Sequence, residues 1–191
     1  MASFLPGDLA AYARVYHPFG DGDDSVVGVS SWAALAANAG RNLSDPAAAA
    51  DFAYHGLSNA QARTGTLSPS SIRPLVEHLR PATTTPEQCY FALWDGFAGS
   101  VVPRGLVPKL ELPNRAYHVF AGPLEGALSS FDAVSYSHRS ANLWWAADHA
   151  WCVATEIDFA WTYVGGPRAR IDAILADSRL DSVETSARAR W

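Results

Sequence analysis

The chain has 191 residues, of which 49% are hydrophobic and 17% charged, with a net charge of -5 at pH 7. That balance excludes a disordered chain, a collagen and a coiled coil, and a domain of this length buries roughly 70% of its unfolded surface without a metal or disulfide. The acidic charge argues against a nucleic-acid or anionic-membrane surface, since such partners require a basic field.

The first half reads as helical. Asp8 caps a predicted helix in which Leu9, Tyr12, Ala13 and Tyr16 recur at three and four. It ends before His17-Pro18, because a residue preceding proline avoids the α region. The acidic loop 20–25 follows. Ser30 or Ser31 caps a second helix with Trp32, Leu35, Ala36 and Ala39 on one face and Gly40 at its C-terminus. Asp45-Pro46 opens a third over 47–55, and Ser68-Pro69 opens a fourth with Ile72, Leu75, Val76 and Leu79 on one stripe before Pro81.

The second half changes period. Residues 89–94 alternate and are rich in aromatics, and 109–112 and 116–120 read as short strands around a Pro113-Asn114 turn. A short helix is expected over 123–128. Residues 151–158 read as a strand with Trp151, Val153, Thr155 and Ile157 on one face and Cys152, Ala154, Glu156 and Asp158 on the other. Residues 161–164 continue extended until Gly165-Gly166 breaks the chain, Pro167 opens a last helix, and the tail from Val183 is assigned no structure. Helices first and strands afterwards predict an α+β fold: a helical N-terminal half packed on a mostly antiparallel sheet formed by the C-terminal half, as one domain over 1–191. No repeat and no dividing linker is visible.

Cys89 and Cys152 each lie in an apolar run, which predicts two reduced, buried thiols. The N-terminus carries no basic or apolar leader pattern and no apolar run reaches 18 residues, so the expected location is the cytoplasm, away from membranes.

The familiar catalytic and metal signatures are absent: no Gly-x-Ser-x-Gly, no phosphate loop, no His-Glu-x-x-His and no Cys-x-x-Cys. Asp21, Asp23 and Ser25 imitate the start of a calcium loop, but Val26 and Trp32 stand where glycine and glutamate are required. No metal site and no cofactor is expected. The catalytic candidates are Glu156 and Asp158, which on a strand would share one face about 6.5 Å apart, a spacing used by carboxylate pairs in hydrolysis or around a hard metal ion. His149, beside Asp148, would supply an acid-base partner. The competing reading puts the two acids at a solvated rim or in ion pairs with Arg168 and Arg170. His118 reads as a hydrogen-bonded strand residue. Gly165-Gly166-Pro167 with Arg168 could receive an anion at a helix start, although capping explains the same residues.

Seven tryptophans are the most unusual feature, with Trp144, Trp145, Trp151 and Trp161 inside 18 residues. If residues 144 and 145 are extended, their side chains point to opposite sides, so one indole is expected at the surface as a binding residue.

The stretches Tyr12-Ala-Arg14 with His17-Pro18, Leu93-Trp-Asp-Gly96, Asn142-Leu-Trp-Trp145, Trp151-Cys-Val-Ala-Thr-Glu-Ile-Asp158 and Tyr163-Val-Gly-Gly166 resemble a family of uncharacterised proteins from high-GC Gram-positive bacteria. The resemblance implies one intracellular domain and no particular activity. The sequence therefore favours a non-enzymatic binding or protein-interaction domain, with Trp144 and Trp145 as binding residues and a protein as partner. The alternative is a hydrolase or transferase using Glu156 and Asp158, with or without a metal.

Overall fold

A computed structural model describes residues 6–18, 31–38, 40, 42–44, 62–98, 107–132 and 138–187. Eight strands make one antiparallel sheet: β1 (Ala11–Tyr16), β2 (Cys89–Trp94), β3 (Lys109–Leu112), β4 (Arg115–Gly122), β5 (Leu143–Ala146), β6 (Cys152–Thr155), β7 (Trp161–Gly166) and β8 (Ser182–Thr185). Their order across the sheet is β3-β4-β2-β5-β6-β7-β1-β8. Among the described residues the helices are α1 (Trp32–Asn38), α2 (Pro69–Leu79) and α3 (Arg168–Leu175), with short 3-10 turns at Arg80–Ala82 and Leu124–Leu128.

This overturns the expected α+β division. The sheet dominates, and the N-terminal segment predicted as a helix from Leu9 to Tyr16 is strand β1, placed between β7 and β8. The spacing misled because β1 is covered on both faces, so all six of its residues are buried and the period-two signal disappears. Tyr12 and Tyr16, four apart as on a helix, also lie on one face of a strand, with Arg14 between them. The expected helix over 47–55 and the acidic loop lie outside the described residues. At the other end of the chain, the tail assigned no structure supplies β8, which pairs with β1 from Tyr12↔Thr185 to Val15↔Ser182.

Other local signals hold. Ser68 caps α2 by accepting from the Ser71 amide at 3.3 Å, with Pro69 at its first turn. Gly40 follows α1 in the left-handed region at φ 65°, and Asn114 turns β3 into β4 at φ 72°. The predicted short helix at 123–128 is the turn Leu124–Leu128.

The two faces of the sheet are packed differently. One is covered by α2 and α3: Phe91, Leu93, Trp144, Val153 and Val164 meet Ile72, Leu75, Leu79, Ile171 and Ile174 in an apolar layer. Each such side chain contributes about 1.5–3 kcal/mol through burial. The opposite face carries Tyr12, Tyr16, Ala92, Tyr117, Leu143, Cys152, Ala154, Trp161 and Tyr163, with Trp32 and Ala36 of α1 against it. Trp32 packs on Tyr16 with ring centroids 5.2 Å apart, and its indole donates to the His17 carbonyl at 2.7 Å.

Candidate functional site

The tryptophan pair divides as alternation requires. In β5, Trp144 points to the helix-covered face, is buried, and meets Trp151 edge-on at 5.7 Å. Trp145 points to the opposite face and is half-buried. There it stacks on Tyr90 of β2, its direct cross-strand partner, with centroids 5.5 Å apart and planes inclined 26°. Tyr90 is 37% exposed, and among the described residues it is the one large hydrophobic side chain that is exposed. Register extends a row through Ala121 of β4, Tyr90, Trp145, Cys152 of β6 and Gly165 of β7. No member of that row bears a charge at neutral pH, because burial pushes the Cys152 thiol up to about 12. The row is thus uncharged, exposed at Tyr90 and Ala121, half-buried at Trp145, and buried at Cys152 and at Gly165, which Leu9 and Tyr12 cover.

The predicted catalytic residues are not brought together. The strand expected over 151–158 stops at Thr155, so Glu156 and Asp158 lie in the turn that follows β6. The Asp158 amide donates to Glu156 Oε2 at 2.7 Å, which closes that turn. Arg115 of β4 bridges both acids: its Nη2 contacts Glu156 Oε1 and lies 3.2 Å from Asp158 Oδ2. The Arg115 guanidinium also covers the Trp94 ring at 5.6 Å. Glu156 is half-buried, its side chain largely covered in this arrangement, and its carboxylate adds to the burial that pushes Tyr117 up to about 12. The acids meet Arg115 from a distant strand rather than Arg168 or Arg170; Arg168 instead pairs with Asp172 and Glu184. His149 sits before β6, at the opposite end from Glu156, in a turn with φ 57°. Its neighbour Asp148 accepts from the Thr83 and Thr84 hydroxyls and the Thr84 amide at 2.7–2.9 Å, a turn-fixing role.

Three further predictions meet different fates. Cys89 and Cys152 are both free and buried. Burial drives the Cys89 thiol up to about 11. Gly165 and Gly166 do not break the chain but finish β7; a Cβ on Gly165 would lie 2.7 Å from Leu9 and 2.8 Å from the Tyr12 ring. His118 does lie on a strand, but its Nδ1 is buried without a hydrogen-bond partner among the described residues.

Sequence reasoning missed a polar group set into the aromatic face. Arg14, in the middle of β1, is 3% exposed and lies among the rings of Tyr16, Trp161 and Tyr163, with its guanidinium carbon 6.0, 5.4 and 5.5 Å from their centroids. His17, just past β1, is also buried. Its Nδ1 lies 2.6 Å from the Arg63 carbonyl, which can only accept, so Nδ1 carries the proton and Nε2 accepts from Thr162 Oγ1 at 2.9 Å. Thr162 in turn accepts from Thr155 at 2.7 Å. Burial, with the Arg63 charge adding to it, lowers His17 to about 4 and keeps it neutral. Asn142, fully buried, joins three segments: Nδ2 donates to the Gly65 and Thr155 carbonyls at 3.3 Å, and Oδ1 accepts from the Trp94 amide at 2.9 Å. The available signal was Tyr12-x-Arg14-x-Tyr16, two aromatics flanking a cation at strand spacing.

Among the described residues no group of three or more His, Cys, Asp or Glu side chains could hold a metal ion, and no helix is long and apolar enough to cross a membrane. Compared with models of protein families, with curated proteins and with solved structures, the chain matches none.

Proposed function

We propose that the chain is a non-enzymatic cytoplasmic binding domain that takes an uncharged, apolar peptide segment of a protein partner on the sheet face around Tyr90 and Trp145. The stacked pair carries this reading. Tyr90 is exposed where large hydrophobics elsewhere in the described chain are covered. Tyr and Trp supply large contact area at low entropic cost, which is why they are enriched among interface hot spots. The partner is taken as uncharged because the row from Ala121 to Gly165 offers no ion pair. Glu156 and Asp158 act in this reading as the anchor for Arg115.

The test is selection from a phage-displayed library of random twelve-residue peptides on the native protein, followed by affinity measurement on Tyr90→Ala and Trp145→Ala. Selected peptides should carry aromatic or aliphatic anchors without a charge motif. Each substitution should weaken them by at least about 2 kcal/mol, or roughly thirtyfold. A library yielding no binders, or binders indifferent to both substitutions, overturns the proposal.

A further inference from the structure

Five arginines among the described residues, Arg80, Arg115, Arg139, Arg168 and Arg179, meet a carboxylate. Arg14 is more deeply buried than any of them, yet among the described residues no acid lies within ion-pair distance of it. Asp181 is the acid whose field reaches neighbouring Tyr16, but its Oδ2 is engaged by the Trp32 amide at 2.7 Å. Nη1 of Arg14 donates to the Tyr16 hydroxyl at 3.4 Å, a long bond, and Nε is buried with no hydrogen-bond partner among the described residues.

The aromatic residues around Arg14 answer its charge and part of its geometry, since the Tyr16 and Tyr163 hydroxyls both accept from the guanidinium, but nothing reaches Nε. An aromatic face attracts a cation through its quadrupole. The N–H groups of a guanidinium point outward in its own plane and require an acceptor there, and an N–H buried without one is costly. The feature missing at Arg14 is thus a planar acceptor on the Nε side, where guanidinium binds a carboxylate through two parallel N–H···O bonds. One cation between aromatic walls suits a monoanion with an apolar body better than a dianion, whose second charge would remain uncompensated in a medium of low dielectric.

We propose that Arg14 anchors a binding site for a small organic carboxylate, held by the Nε edge of the guanidinium and flanked by Tyr16, Trp161 and Tyr163. The site is separate from the stacked Tyr90–Trp145 pair, although the row that contains the pair ends at Gly165, whose partner Tyr12 is two residues from Arg14. Arg14 is on β1 and Tyr90 on β2, four strand positions apart in the sheet, which is about 19 Å at ordinary strand spacing.

The experiment follows the Arg14 Nε–Hε resonance of the full chain by ¹⁵N–¹H correlation while benzoate, acetate or inorganic phosphate is added at constant ionic strength. Benzoate should move that resonance downfield, saturably, and raise the melting temperature; acetate should act in the same direction more weakly, and phosphate should not act. Arg14→Lys keeps the charge but loses the planar edge and should weaken benzoate at least tenfold. Tyr90→Ala should leave benzoate binding unchanged, so failure of the peptide site and failure of this one are distinguishable. A resonance unmoved by benzoate, one moved by phosphate in preference to it, or full benzoate affinity in Arg14→Lys overturns the proposal. If Arg14→Lys does not fold, the titration of the unsubstituted protein decides alone.

Discussion

The two faces of the sheet solve different problems with the same eight strands. Beneath α2 and α3, Phe91, Val153 and Val164 interlock with Ile72, Leu75 and Ile171, and that side holds the chain together by excluding water. The opposite face buries almost as thoroughly near β1 and β7, but with phenols, indoles, a guanidinium and an imidazole, and it opens toward β2 and β4. An aliphatic layer does not discriminate among what it touches beyond shape. An aromatic layer with embedded donors recognises chemistry, and here it also carries the stacked Tyr90–Trp145 pair.

The adjacent indoles test that contrast most sharply. Trp144→Ala should cost about 3–5 kcal/mol of stability, because it empties a packed volume beside Trp151. Trp145→Ala, one residue away, should cost about 1 kcal/mol, since its outer part already meets water. Chemical denaturation of both variants decides. Equal, severe losses would make the second face a core like the first and remove the basis for the binding reading.

The polar network on the aromatic side gives the next largest effect, and it depends on pH. His17 has its folded pKa lowered to about 4 from 6.5. Between these values the unfolded chain binds the proton and the folded chain does not. Stability from the neutral, bonded His17 is therefore fully present above pH 6.5 and lost as pH falls toward 4, by about 3 kcal/mol. Comparison with His17→Gln cancels other titrating groups: the wild-type advantage should shrink by that amount between pH 7 and pH 4. A gap independent of pH would show that the imidazole is not held neutral by burial.

How much of this was legible beforehand follows the same division. The helix-covered face announced itself: the 3.6-residue stripe Ile72, Leu75, Val76 and Leu79 read correctly as α2, alternation in 89–94 gave β2, and alternation in 151–158 gave β6 and its faces, although that strand ends at Thr155. Alternation also foretold that Trp144 and Trp145 would part. What failed was any segment whose pattern is erased by burial on both sides. β1 is such a segment, and a helix was inferred from its Tyr12 and Tyr16. Glu156 and Asp158 failed for a different reason, since the turn and the reach of Arg115 from β4 are long-range facts that spacing along one strand does not contain. Arg14 was passed over because a single cation in an apolar run looks like a solvated helix position until the strands on either side of it are known.

The smallest effect uses the thiols as probes of each face. Cys89 lies on the helix-covered side and Cys152 on the aromatic side, directly opposite Trp145. Both are pushed up, to about 11 and about 12, so at pH 7.5 the reactive thiolate is a minute fraction and native protein should react with a disulfide reagent only through transient opening. Both should label at once in guanidinium chloride. Trp145→Ala removes the side chain opposite Cys152 and leaves the packing around Cys89 untouched, so Cys152 labelling should accelerate severalfold in native buffer while Cys89 keeps its rate. Peptide mapping of the labelled protein separates the two sites. Equal acceleration at both would mean that the substitution loosens the whole sheet and that the two faces are one cooperative unit; acceleration confined to Cys152 would show that the aromatic face opens on its own, as a surface that exchanges water for a partner must.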